Sequence, residues 1–297
     1  MKRIDLHIHT TASDGADSPE AVVRRAAELG LSAISVTDHD TVLGCEPAAA
    51  EAKKRGIELI PGIELSTRYN GPVHILGYFI DTSSPEIKAL FDEIVADRDG
   101  RNEKAVALLR KDGIDITYEQ MKDRFGEVVG WPHFATILIE NGLAESTDDA
   151  FGRLIGKGMK YWVPRSTIPI ERCVDVILSA GGIPVLAHPF EYKYQNKTLP
   201  ELIELCINLG VRGIECRHSS HSPGQMAYLE RLAEEYGLLK TGGSDYHGSV
   251  KPEVALGTGT GLVSVPQAWL EALREEHLRS LGEQHVAPGY ESLGLLV

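Results

Sequence analysis

The 297-residue chain is 42% hydrophobic and 25% charged, a globular composition with length for one large domain or for one domain carrying an insertion. No apolar run approaches the roughly 18 residues of a membrane span, so a membrane-spanning helix and, with this composition, a disordered chain are excluded. With 43 acidic against 30 basic residues and a net charge of −13, stable duplex nucleic-acid binding is not expected, because such affinity comes from Lys and Arg neutralising phosphates.

Strand-like and helix-like runs alternate through the first 95 residues. Strands are expected at Arg3–Ile8, Ala33–Thr37, Glu58–Ile63 and Val73–Phe79, with helices at Pro19–Leu29 and Glu46–Arg55. Ser18-Pro19 supplies a cap and a first-turn proline, and Gly30 and Gly56 follow the last apolar residues. From Asp97 to Val163 the rhythm breaks: helices are expected at Arg98–Lys111, Tyr118–Arg124, His133–Asn141 and Asp148–Leu154, with only Val128–Val129 strand-like. After Pro164 the alternation returns. Helices Ile170–Ala180, Leu199–Leu209 and Gln225–Tyr236 lead to strands Ile183–Ala187, Gly213–Cys216 and Leu239–Thr241, and an amphipathic helix, Pro266–Leu281, precedes a polar tail. Residues 1–96 and 164–297 are therefore expected to form one β/α barrel, interrupted by a helical insertion at 97–163.

Two further features bear on location. The N-terminal segment lacks the apolar stretch of a secretory signal, and Cys45, Cys173, Cys206 and Cys216 have no metal or redox spacing and are expected as buried, reduced thiols. A cytoplasmic protein is the expectation.

The polar residues fall at the strand ends. His7 and His9 form H-x-H in the first strand, where alternation puts both imidazoles on one face. Asp14 lies in the next loop, His39 ends the second strand and Glu64 the third. His74 begins its apolar run instead of ending it, His188 ends a later strand, and Asp245 and His247 follow the last. In a barrel, strand ends converge on one face, where active sites lie. Six histidines and three carboxylates gathered there, with hardly any Lys or Arg between them, would hold a cation; N and O donors without thiolate suit Mn²⁺, Fe²⁺ or Zn²⁺, and nine are too many for one ion. Two to three divalent ions are expected, Mn²⁺ first among them.

The motifs D-L-H-I-H (Asp5–His9), T-D-H-D (Thr37–Asp40), G-I-E (Gly62–Glu64), H-I-L-G (His74–Gly77), A-H-P (Ala187–Pro189) and G-S-D-Y-H (Gly243–His247) resemble, in kind and order, those of the PHP (polymerase and histidinol phosphatase) family. The chain is most similar to the branch that includes a nucleoside 3′,5′-bisphosphate phosphatase and a 5′-to-3′ exoribonuclease, where an insertion also falls between H-I-L-G and A-H-P. The resemblance implies a distorted seven-stranded β/α barrel. It also implies one metal on His7, His9, Glu64 and Asp245, a second on a bridging Glu64 with His74 and His188, and a third on Asp14, His39 and His247.

Metal coordination lowers the pKa of bound water towards neutrality and so supplies a nucleophile for a phosphate monoester. A phosphoesterase acting on a small phosphorylated metabolite or a nucleotide end is therefore expected, with Asp245 needed for turnover. Expected substrate contacts are Arg217 and His218, with His221 as phosphate ligand or leaving-group acid. The insertion is expected as a lid offering His133, Lys157 and Lys160, and Trp131 or Tyr161 for stacking. The chain departs from its relatives at Trp131, where they carry arginine, and at Phe190-Glu191, where they tend to Gly-Arg. A C–N hydrolase using the same metals and a non-catalytic metal-binding module are the alternatives; no strand-end lysine of the kind that bridges metals favours the former, and nine assembled donors speak against the latter.

Overall fold

The computed structural model describes residues 3–68, 71–125, 129–164, 168–192 and 198–286. Contacts divide the chain into two units: Met1–Leu90 with Thr167–Val297, and Phe91–Ser166.

The first unit begins with β1 (Arg3–Asp5), α1 (Pro19–Glu28), β2 (Leu31–Val36), α2 (Cys45–Arg55), β3 (Glu58–Arg68) and β4 (Pro72–Tyr78), and then α3 (Pro85–Lys111) leads out of it. The second unit continues α3 with α4 (Tyr118–Phe125), α5 (Trp131–Glu140) and α6 (Thr147–Ala150), the last running into a π-helical turn at Phe151–Ile155. The chain then returns with β5 (Ile168–Pro169), α7 (Ile170–Ser179), β6 (Ile183–Leu186), α8 (Leu199–Leu209), β7 (Gly213–Arg217), α9 (Pro223–Tyr236), β8 (Leu239–Gly242), β9 (Val265–Pro266) and α10 (Gln267–Val286). Among the described residues no helix is long and apolar enough to cross a membrane.

The sheet runs β8-β7-β6-β4-β3-β2-β1-β9, with β5 beside β3. Without the two-residue β5 and β9, this path has seven strands. Past Asp5 the chain stays extended and meets the end of β8 and the segment after it: Leu6 N donates to Gly242 O (3.3 Å), Asp245 N to His7 O (2.9 Å) and His9 N to Tyr246 O (2.9 Å). Those bonds nearly close the barrel. A Cβ on Gly243 would lie 2.3 Å from His7 N, so only glycine allows this approach.

The barrel is distorted because β4 runs antiparallel to both β3 and β6. This explains His74. In an antiparallel strand the first residues lie where its neighbours end, and His74 stands opposite Ser66, two residues beyond Glu64. Leu6, Ile60, Leu76, Tyr78, Val185 and Ala187 are among the side chains packed within the barrel core.

Several expected boundaries shift. β1 ends at Asp5, not Ile8, because from Leu6 onward the chain divides its bonds between Thr37 and the end of β8 with the segment after it. β3 runs on to Arg68, held by its hairpin with β4, so Glu64 lies within a strand. The helix expected from Arg98 starts at Pro85 and is continuous for 27 residues. Val128 and the tail from 287 onward lie outside the described residues.

Unit Phe91–Ser166 has its own apolar core, including Leu109, Met121, Phe134, Leu138 and Ile155, with Tyr161 2% exposed and Trp131 packed against it. All four cysteines are buried and free.

Candidate metal centre

The nine expected ligands come together at the strand ends in unequal groups. The tightest surrounds Glu64, whose carboxylate is 1% exposed. Its Oε2 lies 3.2 Å from His7 Nε2 and 3.2 Å from His9 Nε2, and its Oε1 lies 2.8 Å from both His74 Nδ1 and His188 Nε2. Each oxygen thus faces a different pair of imidazoles. Asp245 Oδ1 completes the first set, 3.1 Å from His9 Nε2 and 3.6 Å from His7 Nε2. Asp14 Oδ1 lies 3.4 Å from His247 Nε2, and Asp14 Oδ2 4.0 Å from His39 Nε2, around a half-exposed carboxylate. His39 also turns Nδ1 to within 3.3 Å of Glu64 Oε2, so it stands between the two groups.

These residues fit divalent metal ions. Donors about 2.1 Å from a cation lie about 3.0–3.4 Å from one another, and His7 Nε2 and His9 Nε2 are 3.1 Å apart. The buried ring nitrogens His9 Nδ1 and His39 Nδ1, which face Asp14 and Glu64 at 3.5 and 3.3 Å, have no hydrogen-bond partner, as lone pairs aimed at an ion between them would not.

Electrostatics say the same. Burial would raise Glu64 and Asp245, yet the facing histidines hold both well below the usual carboxylate range. Burial would lower His9, yet Asp245 and Glu64 raise it to about 9, and Glu215 with Glu64 raises His7 well above its ordinary value. Burial dominates at His39, which falls to about 4. Without metal the cluster keeps protons where cations would go, so metal binding releases protons and tightens as pH rises.

Several residues that the sequence reading passed over hold the ligands in place. Glu215, fully buried on β7, accepts from His7 Nδ1 (2.9 Å) through Oε1 and from His188 N (2.8 Å) through Oε2. It thereby fixes His7 with Nε2 towards the site, the usual supporting carboxylate of a metal-binding imidazole. Asp5 accepts from Ser244 N (2.8 Å) and Gly257 N (2.7 Å), and Asp38 from Thr10 N (2.7 Å), tying down the loops that carry Asp245 and Asp14. A carboxylate inside an apolar strand, as in G-I-E-C-R, was the available signal. Lys251 was also missed; its Nζ lies 2.7 Å from Asp245 Oδ2. Asp245 itself has φ of 56°, a left-handed backbone that costs a non-glycine residue about 1 kcal/mol and marks a position held by its surroundings.

The expected substrate contacts divide. His218 and His221, 1% and 2% exposed, lie beside the centre: the His218 ring is 5.0 Å from that of His188 and 5.3 Å from that of His221. Their backbone partners fix opposite tautomers. Ser220 N donates to His218 Nδ1 (3.2 Å), which leaves Nε2 to carry the proton, whereas His221 Nδ1 donates to Cys216 O (3.3 Å), which leaves Nε2 as an acceptor. Burial lowers His221 to about 4, which favours an acceptor over a leaving-group acid near neutral pH.

Arg217 is not brought to the cluster. Its Nε donates to Glu230 (2.8 Å), its Nη1 to Ser264 O, and its guanidinium lies over Trp269. A register irregularity between Glu215 and Arg217 turns the side chain off the inward face. In the insertion, Lys160 pairs with Asp112 (2.5 Å), His133 Nδ1 accepts from Gly130 N (3.1 Å) and stacks on Phe125, and Arg101 lies over Trp131. The hydroxyl of Tyr161 also meets Asp112, and Lys157 is exposed. Tyr161 lies within the insertion's apolar core and Trp131 packs against it.

Comparison with known proteins agrees with the geometry. The PHP domain family matches residues 5–141. A 5′-3′ exoribonuclease of Haemophilus influenzae is 35% identical over 247 residues, 83% of this chain and 90% of the relative. A 3′,5′-nucleoside bisphosphate phosphatase of Chromobacterium violaceum is 33% identical over 257 residues, 83% of this chain and 88% of the relative. Among solved structures, one assigned as a metal-dependent phosphoesterase from Bifidobacterium adolescentis is 29% identical, covers 92% of this chain and 95% of its own, and superposes with a TM-score of 0.74. With its seven-stranded distorted barrel and its ring of N and O donors, the chain belongs to the PHP family of metal-dependent phosphoesterases.

Proposed function

We propose that this enzyme hydrolyses the phosphate monoester of a small metabolite or a nucleotide, a nucleoside 3′,5′-bisphosphate or an oligonucleotide end included, with two to three divalent ions, Mn²⁺ favoured over Fe²⁺ and Zn²⁺. The observation that carries this reading is the pair of Glu64 oxygens, each facing two imidazoles at 2.8–3.2 Å, because a carboxylate so placed can bridge two cations. His7, His9, Glu64 and Asp245 would hold one ion, Glu64, His74 and His188 a second, and Asp14, His39 and His247 a third. Bound metal supplies Lewis-acid charge and an activated water at neutral pH.

The protein's own part is positional. Glu215 and Asp5 keep the donors aimed, His218 Nε2–H offers a donor to a phosphate oxygen, and His221 Nε2 offers an acceptor to a substrate hydroxyl. The insertion, residues 97–163, is assigned to specificity through Lys157, Lys160 and His133. Four free buried thiols fit the reducing cytoplasm as the place of action.

The test is phosphate release from nucleotides, bisphosphates and sugar phosphates, by metal-stripped and Mn²⁺-reloaded protein in H₂¹⁸O. Reloading should restore turnover, and ¹⁸O should appear in the phosphate. A phosphohistidine trapped during turnover, or hydrolysis of amides alone in the same panel, would overturn the reading.

A further inference from the structure

The two oxygens of Asp245 face different surroundings. Oδ1 points at His9 and His7 (3.1 and 3.6 Å), whereas Oδ2 is met by the partly exposed Lys251 Nζ (2.7 Å) and by the buried His218 Nε2 (3.4 Å). Lys251 follows the short turn Gly248–Val250 after β8, and its side chain is 39% exposed beside the 10% of Asp245. An ammonium carries three donors and the contact with Asp245 occupies one. Its charge is also felt by Glu191 and Asp14, so it stands among the carboxylates at the rim of the centre, a cation in an otherwise acidic setting.

Complete burial would strip water from the lysine's charge at a cost of several kcal/mol. Lys251 instead keeps part of its surface open, next to Asp245 Oδ2. Phosphate binding by a lysine needs that combination: a point charge with free donors on a stem flexible enough to follow the ligand.

We propose that Lys251 binds a nonbridging oxygen of the substrate's phosphate, its ammonium shared between that oxygen and Asp245 Oδ2, with His218 Nε2–H as the neighbouring donor. The proposal rests on the phosphoesterase reading and assigns the protein's own cation to the reacting phosphate.

The test uses full-length Mn²⁺-loaded protein and inorganic phosphate as probe, with affinity measured by calorimetry in excess Mn²⁺ and referred to the loaded fraction found by elemental analysis. Losing one charge-assisted hydrogen bond corresponds to roughly a 10–100-fold loss of affinity. Lys251→Met should show that loss with its metal content intact, and Lys251→Arg should retain most of the wild-type affinity. Equal phosphate affinity in Lys251→Met and wild type would overturn the proposal. So would loss of metal from Lys251→Met with unchanged phosphate affinity per loaded site, which would make the lysine a clamp on Asp245. A wild-type protein that fills with metal and binds no phosphate would instead remove the phosphoesterase reading itself.

Discussion

At the strand ends of the barrel unit, His7, His9, Glu64, His188, Asp245 and His247 are all buried, and the ring nitrogens His9 Nδ1 and His188 Nδ1 have no hydrogen-bond partner. In unit Phe91–Ser166 the buried residues are almost all apolar. There the buried Asn102 donates to the Tyr118 hydroxyl (3.1 Å) and to Val129 O (2.8 Å). One region concentrates charge that folding alone does not satisfy, and the other gives its buried amide two acceptors. Burying ionisable groups costs several kcal/mol each unless they are paired, so the carboxylates of the first region need protons on the histidines or cations to balance them, and the second region needs neither. Metal should therefore matter to one unit's stability and not to the other's.

Four measurements would break or sharpen that contrast. The largest effect is expected from Glu64→Gln. Removing the shared charge should empty two of the three metal groups by elemental analysis and cut turnover by roughly a thousandfold or more; full metal content in this variant would end the bridging assignment. Next, Phe134→Ala removes a fully buried ring from the insertion core and should lower stability by about 3–5 kcal/mol. Melting followed within Phe91–Ser166 should show that loss, with barrel metal content unchanged, whereas metal lost together with the insertion would mean that the two units are not energetically separate. Third, Glu215→Gln keeps a hydrogen-bonding group but loses the charge behind His7, and metal titration should show affinity about 10–100-fold weaker.

The smallest effect concerns pH. In metal-free protein His9 has its pKa raised from 6.5 to about 9, where Asp245 and Glu64 outweigh burial. A raised histidine contributes stability that is fully present below 6.5 and is lost as pH rises through about 9. His39 and His221, lowered to about 4, change stability below 6.5 and leave that window alone. Metal-free protein should thus melt at progressively lower temperature between pH 6.5 and 9. The metal-loaded form, its proton already displaced, should not follow, so the gap in Tm should widen with pH; a constant gap would show that metal and proton do not compete at His9.

Much of the centre was legible in the sequence because its ligands share a simple local sign, a histidine or carboxylate beside the end of an apolar run. That sign located His7, His9, His39, Glu64, His188, Asp245 and His247, and the helix boundaries in the barrel half were set by caps that act locally, such as Ser18 on Ala21 N. Partnership across the fold was not legible. Glu215 reads as one carboxylate in an apolar strand, and only the fold sets it 2.9 Å from a histidine 208 residues away. Arg217 follows Glu215 by two, so strict alternation puts both on one face; the register irregularity between them sends the arginine outward. His74 looked misplaced because the direction of β4 is decided by its pairing with β3 and β6, which no periodicity encodes. The aromatic residues of the insertion were read as candidate stacking groups, but residue type alone does not tell a ring in a core from a ring that meets a ligand.

The closure of the barrel by residues from both ends of the chain has a kinetic consequence. His7 meets Glu215 across 208 residues, and Asp5 meets Ser244 across 239, so these contacts have very high sequence separation and pay the loop-closure entropy late. During synthesis the first strands, with His7, His9 and His39, emerge long before the segment that carries Asp245 and His247. A nascent chain that has reached the insertion therefore offers incomplete ion sites, and the full complement can assemble only when the segment after β8 has left the ribosome and docked beside His7 and His9.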